Sequence, residues 1–85
     1  MIKTGDKVRV IKVAISEGET SAVPAGLSFV GMLKSGNTPG SHISVTNDKG
    51  KTLSSTTVVE MKLILDGGGY IAKTETSTYL VEKVV

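Results

Sequence analysis

A chain of 85 residues without cysteine has room for one domain, residues 1–85, and buries only about 60% of its unfolded surface, so its core must be compact. Its composition, 39% apolar and 21% charged with a net charge of +2, is globular, which excludes a disordered tail and leaves too weak a field to draw polyanions unaided. Absence of cysteine rules out disulfides, thiolate nucleophiles and thiolate metal sites, and the single histidine, His42, gives zinc too few ligands; no cofactor or metal is expected.

The opening MIKTGDKVRVIKV carries charge at Lys3, Asp6, Lys7 and Arg9, where a signal peptide needs an apolar stretch of about 7–15 residues. Export by that route is not expected. No uncharged apolar run approaches the roughly 20 residues of a membrane span, so the expected setting is the cytoplasm or a viral or multiprotein assembly. In DKVRVIKVA, residues 6–14, Val8 and Val10 alternate with Lys7, Arg9 and Ile11, the period-two pattern of a half-buried strand. ISEGETSAVPAG then forms a loop of about a dozen residues, long enough for a compact domain to suggest a contact role.

LSFVGML, residues 27–33, is a second strand with Gly31 inside it, which predicts a bulge or a close backbone approach. KSGNTPGS ends it. HISVT, residues 42–46, places Ile43 and Val45 on one face and His42, Ser44 and Thr46 on the other, and Asn47-Asp48-Lys49-Gly50 follows as a turn. Leu53 stands alone in the polar stretch KTLSSTT.

The stretch TTVVEMKLILDGGGY fits two templates. Thr57 with Glu60 forms a capping-box pattern, and Gly67 suits the left-handed position after a last helical turn. Val58, Val59 and Ile64 are β-branched, however, and a helix here would be apolar around most of its circumference. The strand template places Val59, Met61, Leu63 and Leu65 on one side and Glu60 and Lys62 on the other, and is preferred. Asp66-Gly67-Gly68-Gly69 becomes a hairpin connection, Tyr70 to Thr74 its returning arm, and TYLVEKVV the closing strand.

About five to six short strands with a long first loop predict an all-β fold, a small closed antiparallel barrel. GDKVRVI resembles the opening strand of SH3-like barrels, including KOW-type modules of ribosomal and transcription proteins and small barrel subunits of photosynthetic complexes, and YLVEKV is similar to the way many such barrels end. The resemblance implies an SH3-like barrel and, through the KOW modules, association with nucleic acid. In the KOW pattern a glycine turn follows the first strand almost directly, whereas here Ala14 leads into the long loop.

The residues that carry chemistry elsewhere have plainer roles in this chain. Gly67 to Gly69 lack the Lys-Ser/Thr of a phosphate loop. His42 has no acid or serine placed to partner it, so no catalytic residue is assigned and no enzyme is expected. Glu17 with Glu19, or Asp48 with Asn47, supply too few oxygens for calcium. Lys7, Arg9, Lys62 and Lys73 are the candidate nucleic-acid contacts, interspersed with Glu60, Glu75 and Glu82, and only Phe29, Tyr70 and Tyr79 are available to stack on bases.

The strands hold more aliphatic residues than one barrel interior accepts. If Val8 and Val10 point inward, Ile11 and Val13 need a bulge or a partner; if Met61, Leu63 and Leu65 point inward, Val58 and Ile64 point out; Tyr79 and Val81 oppose Leu80 and Val84. Exposed contiguous apolar area marks an interface. The expected function is a non-enzymatic protein-binding adaptor or assembly module, such as a virion component or an inhibitor of a larger machine. Its contacts are expected through Ile11, Val13, Val58 and Ile64 and through the loop from Ser16 to Gly26 with Glu17 and Glu19. A protein partner or a second copy would dock by aliphatic packing or by edge-strand pairing. The alternative is a nucleic-acid-associated module.

Overall fold

The computed structural model of the protein describes residues 2–15 and 26–84. Six strands follow one another: β1 (Lys7–Ile15), β2 (Ser28–Ser35), β3 (His42–Thr46), β4 (Thr52–Ile64), β5 (Gly69–Thr74) and β6 (Ser77–Lys83). Each pairs antiparallel with its neighbours in sequence, and β6 returns to pair with β1, closing a barrel. This is the expected all-β architecture, consistent with the small SH3-like barrels. Closure removes the open sheet edge that strand addition needs, so edge-strand pairing drops out as a docking mode.

Period-two alternation fills the interior. Val8 and Val10 of β1, Leu33 of β2, Ile43 and Val45 of β3, Tyr70 and Ala72 of β5 and Tyr79 and Val81 of β6 are all buried, with Leu53 and Val58 of β4 and Ile2. Gly31 is the close approach its position foretold: a Cβ there would lie 2.5 Å from the backbone oxygen of Thr46, so only glycine lets β2 and β3 meet. The register shift between these strands comes later, between Leu33 and Ser35.

The polar stretch KTLSSTT, which has little strand pattern, belongs to the long β4. Its first half pairs with β3 and its second half with β5. Only Leu53 and Val58 are buried along it. Where the β3–β4 ladder slips between His42 and Ser44, the Ser55 hydroxyl accepts the Ile43 N–H at 2.9 Å, satisfying a donor that the slip strands.

Two expectations about β4 need correction. Val58, placed on the outer face by simple alternation, stands opposite Thr74 and is fully buried. Val59, placed inside, is 53% exposed. The cause is a bulge between Val58 and Glu60: one extra residue resets the alternation, so Val58 and Met61 both face the core. Leu63, although opposite Tyr70, is half exposed. No helix occupies 57–66; β4 runs to Ile64 and a tight turn at Leu65–Gly67 follows, with Asp66 (φ 52°) and Gly67 (φ 90°) in left-handed conformations that reverse the chain into β5.

Candidate protein-docking face

Register sorts the outer side chains into rows. Lys62 of β4, Ile71 of β5, Leu80 of β6 and Ile11 of β1 are successive cross-strand partners, so they stand side by side across four strands. Their chain neighbours Tyr70, Ala72, Tyr79, Val81 and Val10 are buried, and the row therefore faces outward. One step along the strands, Ile64, Gly69, Glu82, Arg9 and Val30 form a second row. On the other side lie Glu60, Lys73 and Thr78.

The middle of this face is aliphatic. Ile71 is 38% and Val30 37% exposed, and Ile11, Leu80 and Ile64 are half-buried. Val13, at the register shift between Lys12 and Ala14 on β1, is 49% exposed. A closed barrel has one interior, and Val8, Val10, Tyr79 and Val81 already fill it from these strands. The margins are charged with both signs. Arg9 Nη1 meets Glu82 Oε1 at 3.0 Å, and Glu60 stands opposite Lys73. A groove of about 260 Å³ lined by Met61, Ile71, Lys62, Lys73, Glu60 and Thr78 borders the aliphatic row.

Of the residues expected at an interface, the structure brings Ile11, Val13 and Ile64 to this sector and sends Val58 to the core. Glu17 and Glu19, and the loop they belong to apart from Gly26, lie outside the described residues. Ile71 and Leu80 complete the row. Alternation already placed Leu80 outside Tyr79 and Val81; only cross-strand register joins it to Ile11 and Ile71.

The basic residues do not share one stripe. Lys7 pairs with Met32 and lines, with Lys34, a separate groove of about 290 Å³ between β2 and the β3–β4 turn. Lys62 and Lys73 lie on β4 and β5, and Arg9 is held by Glu82. Lys12, also on β1, turns inward: it is buried, its Nζ sits 5.9 Å from the Tyr79 ring centroid, and desolvation lowers its pKa.

His42 is exposed, and its backbone carbonyl accepts the Ser35 hydroxyl at 2.6 Å. Asn47 Oδ1 accepts the Lys49 and Lys51 backbone N–H groups at 3.0 and 2.9 Å, which makes it a turn former. Among the described residues no three His, Cys, Asp or Glu side chains are grouped to hold a metal ion, and no helix is long and apolar enough to cross a membrane. Comparison of the chain with protein-family models, curated proteins and solved structures finds no match.

Proposed function

We propose that this barrel is a non-enzymatic protein-docking module, an adaptor or assembly subunit that binds through the outer face of β5, β6 and β1. The observation that carries this reading is the unbroken aliphatic run Ile71–Leu80–Ile11 in cross-strand register, widened by Val30, Val13 and Ile64. Aliphatic side chains aligned across three strands lose their contact with water only when something is laid over them. Charges of both signs at the margin orient a partner without drawing polyanions.

A photoreactive residue at position 80, introduced in the expressing cell, tests the reading. Adducts to protein at position 80 and none from position 54, on the hydroxyl-rich β4 surface, are the expected result. Adducts to nucleic acid alone would sink it.

The second reading is a nucleic-acid-associated module of the SH3-like, KOW-type kind. The groove flanked by Lys7 and Lys34 supports it. Binding there would fall steeply between 0.1 and 0.5 M salt, because phosphate contacts release counterions, whereas aliphatic docking would persist.

A further inference from the structure

We infer that the groove between β2 and the β3–β4 turn is a small-molecule site for a phosphate monoester carried on a planar ring, either free or at the end of a strand. It shares no residue with the aliphatic docking face and stands independently of it. At this groove it narrows the nucleic-acid alternative from a diester chain to a terminal phosphate.

Register assembles the site. Lys7 of β1, Met32 of β2 and Thr46 of β3 are successive cross-strand partners. Their chain neighbours Val8, Leu33 and Val45 are buried, so the row faces outward. Lys34 stands two residues beyond Met32 on the same face of β2 and is therefore diagonal to Lys7, a separation of about 7–8 Å that long side chains span. Gly5 and Gly31 line the groove without side chains, and Asp48 borders it.

The two lysines call for an anion. Among the described residues neither forms an ion pair, whereas Arg9 is held by Glu82 at 3.0 Å and Lys83 lies 3.9 Å from Asp6. Lys34 Nζ donates instead to Met32 Sδ at 3.6 Å, which turns it over the Lys7–Met32 row. A thioether is a weak acceptor, readily exchanged for a phosphate oxygen. Two ammonium groups beside one groove repel each other, and a doubly charged group held between them reverses the sign of that interaction. A phosphate monoester carries about −1.5 to −2 at neutral pH; a diester or a sulfate ester carries a single charge.

Size favours a small occupant. The groove measures about 290 Å³, at the low end of the ~300–1,000 Å³ of small-ligand sites, which suits one ring with its phosphate better than a run of nucleotides. A ring laid on the Gly5 and Gly31 backbone meets the thioether of Met32, which is 45% exposed, and sulfur–aromatic contacts are favourable. The Asp48 carboxylate is then the acceptor for a hydroxyl or N–H on the ligand.

Amide shifts of the ¹⁵N-labelled full chain, titrated at pH 7.5 in 0.05 M salt, test the site. Phenyl phosphate is expected to move Gly5, Gly31, Met32, Lys34, Asn47 and Asp48 together, with a Kd of about 0.1–1 mM. Phenyl sulfate, of similar shape but with one charge, and inorganic phosphate, without the ring, are each expected to bind about tenfold more weakly. Lys7→Gln and Lys34→Gln should each weaken phenyl phosphate about fivefold to tenfold, and Lys34→Arg should restore it. Lys73→Gln on β5 should leave it unchanged, and the spectrum of each unbound variant confirms its fold. Shifts that do not saturate by 10 mM, or inorganic phosphate or phenyl sulfate binding as well as phenyl phosphate, would overturn the site. Trinucleotides with a 5′-phosphate and with a 5′-hydroxyl separate the sources. Binding of the first alone supports a strand end, and binding of neither, with phenyl phosphate bound, supports a free monoester. Equal binding of both would overturn the monoester while keeping the diester alternative.

Discussion

The phenol of Tyr70 on β5 donates to the backbone carbonyl of Gly36, 34 residues earlier in the chain, at 2.9 Å. This bond ties the β4–β5 hairpin to the connection between β2 and β3 inside the core, where an unmet carbonyl is costly. Tyr70→Phe is expected to lower unfolding free energy by about 1–1.5 kcal/mol, measured by urea denaturation.

The same burial pushes the Tyr70 pKa from 10.0 up to about 12, and that of Tyr79 upward, partly offset by its hydrogen bond with Ser77. An acid whose folded-state pKa is raised holds its proton longer in the native chain. The unfolded chain deprotonates first, and stability falls as pH rises from about 10 to 12. Tyr70 alone accounts for about 2–3 kcal/mol of loss across that window. Lys12, whose pKa is lowered, acts with the opposite sign and only below 10.5. Denaturation midpoints from pH 8 to 11.5 should decline above pH 10, and Y70F should lose the larger part of the decline. A flat profile in the wild type would contradict the buried phenol.

Gly31→Ala sets a methyl group against the Thr46 carbonyl oxygen and carbon at 2.5 and 2.7 Å and the Asn47 nitrogen at 2.9 Å, all of them backbone atoms that cannot give. A loss of about 2–3 kcal/mol is expected. Gly40→Ala meets nothing within 4 Å and is penalised only by its left-handed φ of 92°, about 1 kcal/mol. Thermal melts of the two variants should keep that order.

Val58→Ala and Leu80→Ser separate core from face. Val58 is fully buried, and its truncation is expected to cost about 2 kcal/mol while leaving any association of the folded protein intact. Leu80 is half-buried on the outer surface; L80S should cost about 1 kcal/mol or less and abolish docking of a protein partner on this face. Chemical denaturation paired with sedimentation distinguishes them.

Lys62→Ala and Lys73→Ala test the nucleic-acid alternative on one flank, and Lys7→Ala with Lys34→Ala on the other. Since Arg9 is engaged by Glu82 and Lys73 opposes Glu60, only the Lys7/Lys34 pair is expected to reduce weak oligonucleotide binding at 0.05 M salt, lowering the slope against log salt by about one to two. Fluorescence anisotropy of a labelled single strand measures this.

The barrel was legible because five of its strands announce themselves locally. Val8 and Val10, Ile43 and Val45, and Tyr79 and Val81 alternate cleanly, and the Asp66–Gly69 reversal carries its own turn chemistry. KTLSSTT was not legible as strand: its two anchors, Leu53 and Val58, are separated by hydroxyl residues, and one of its inward positions, Ser55, works by accepting a backbone N–H rather than by being apolar. Val58 was misplaced because a bulge is a property of two strands together, and no period within one strand reveals it. The docking face was half legible for the same reason: Ile11, Val13 and Ile64 stood out as surplus, yet Ile71 and Leu80 join them only through register.

The thirteen residues of β4 serve β3 with one half and β5 with the other, so neither half of the barrel can be completed while the other is missing. Closure of the barrel also requires β1 to meet β6 at the far end of the chain, which places this small domain among the slow folders, on the millisecond-to-second scale. Amide protons of β4 should then exchange only when the whole molecule opens, making that single strand a gauge of the cooperativity of the chain.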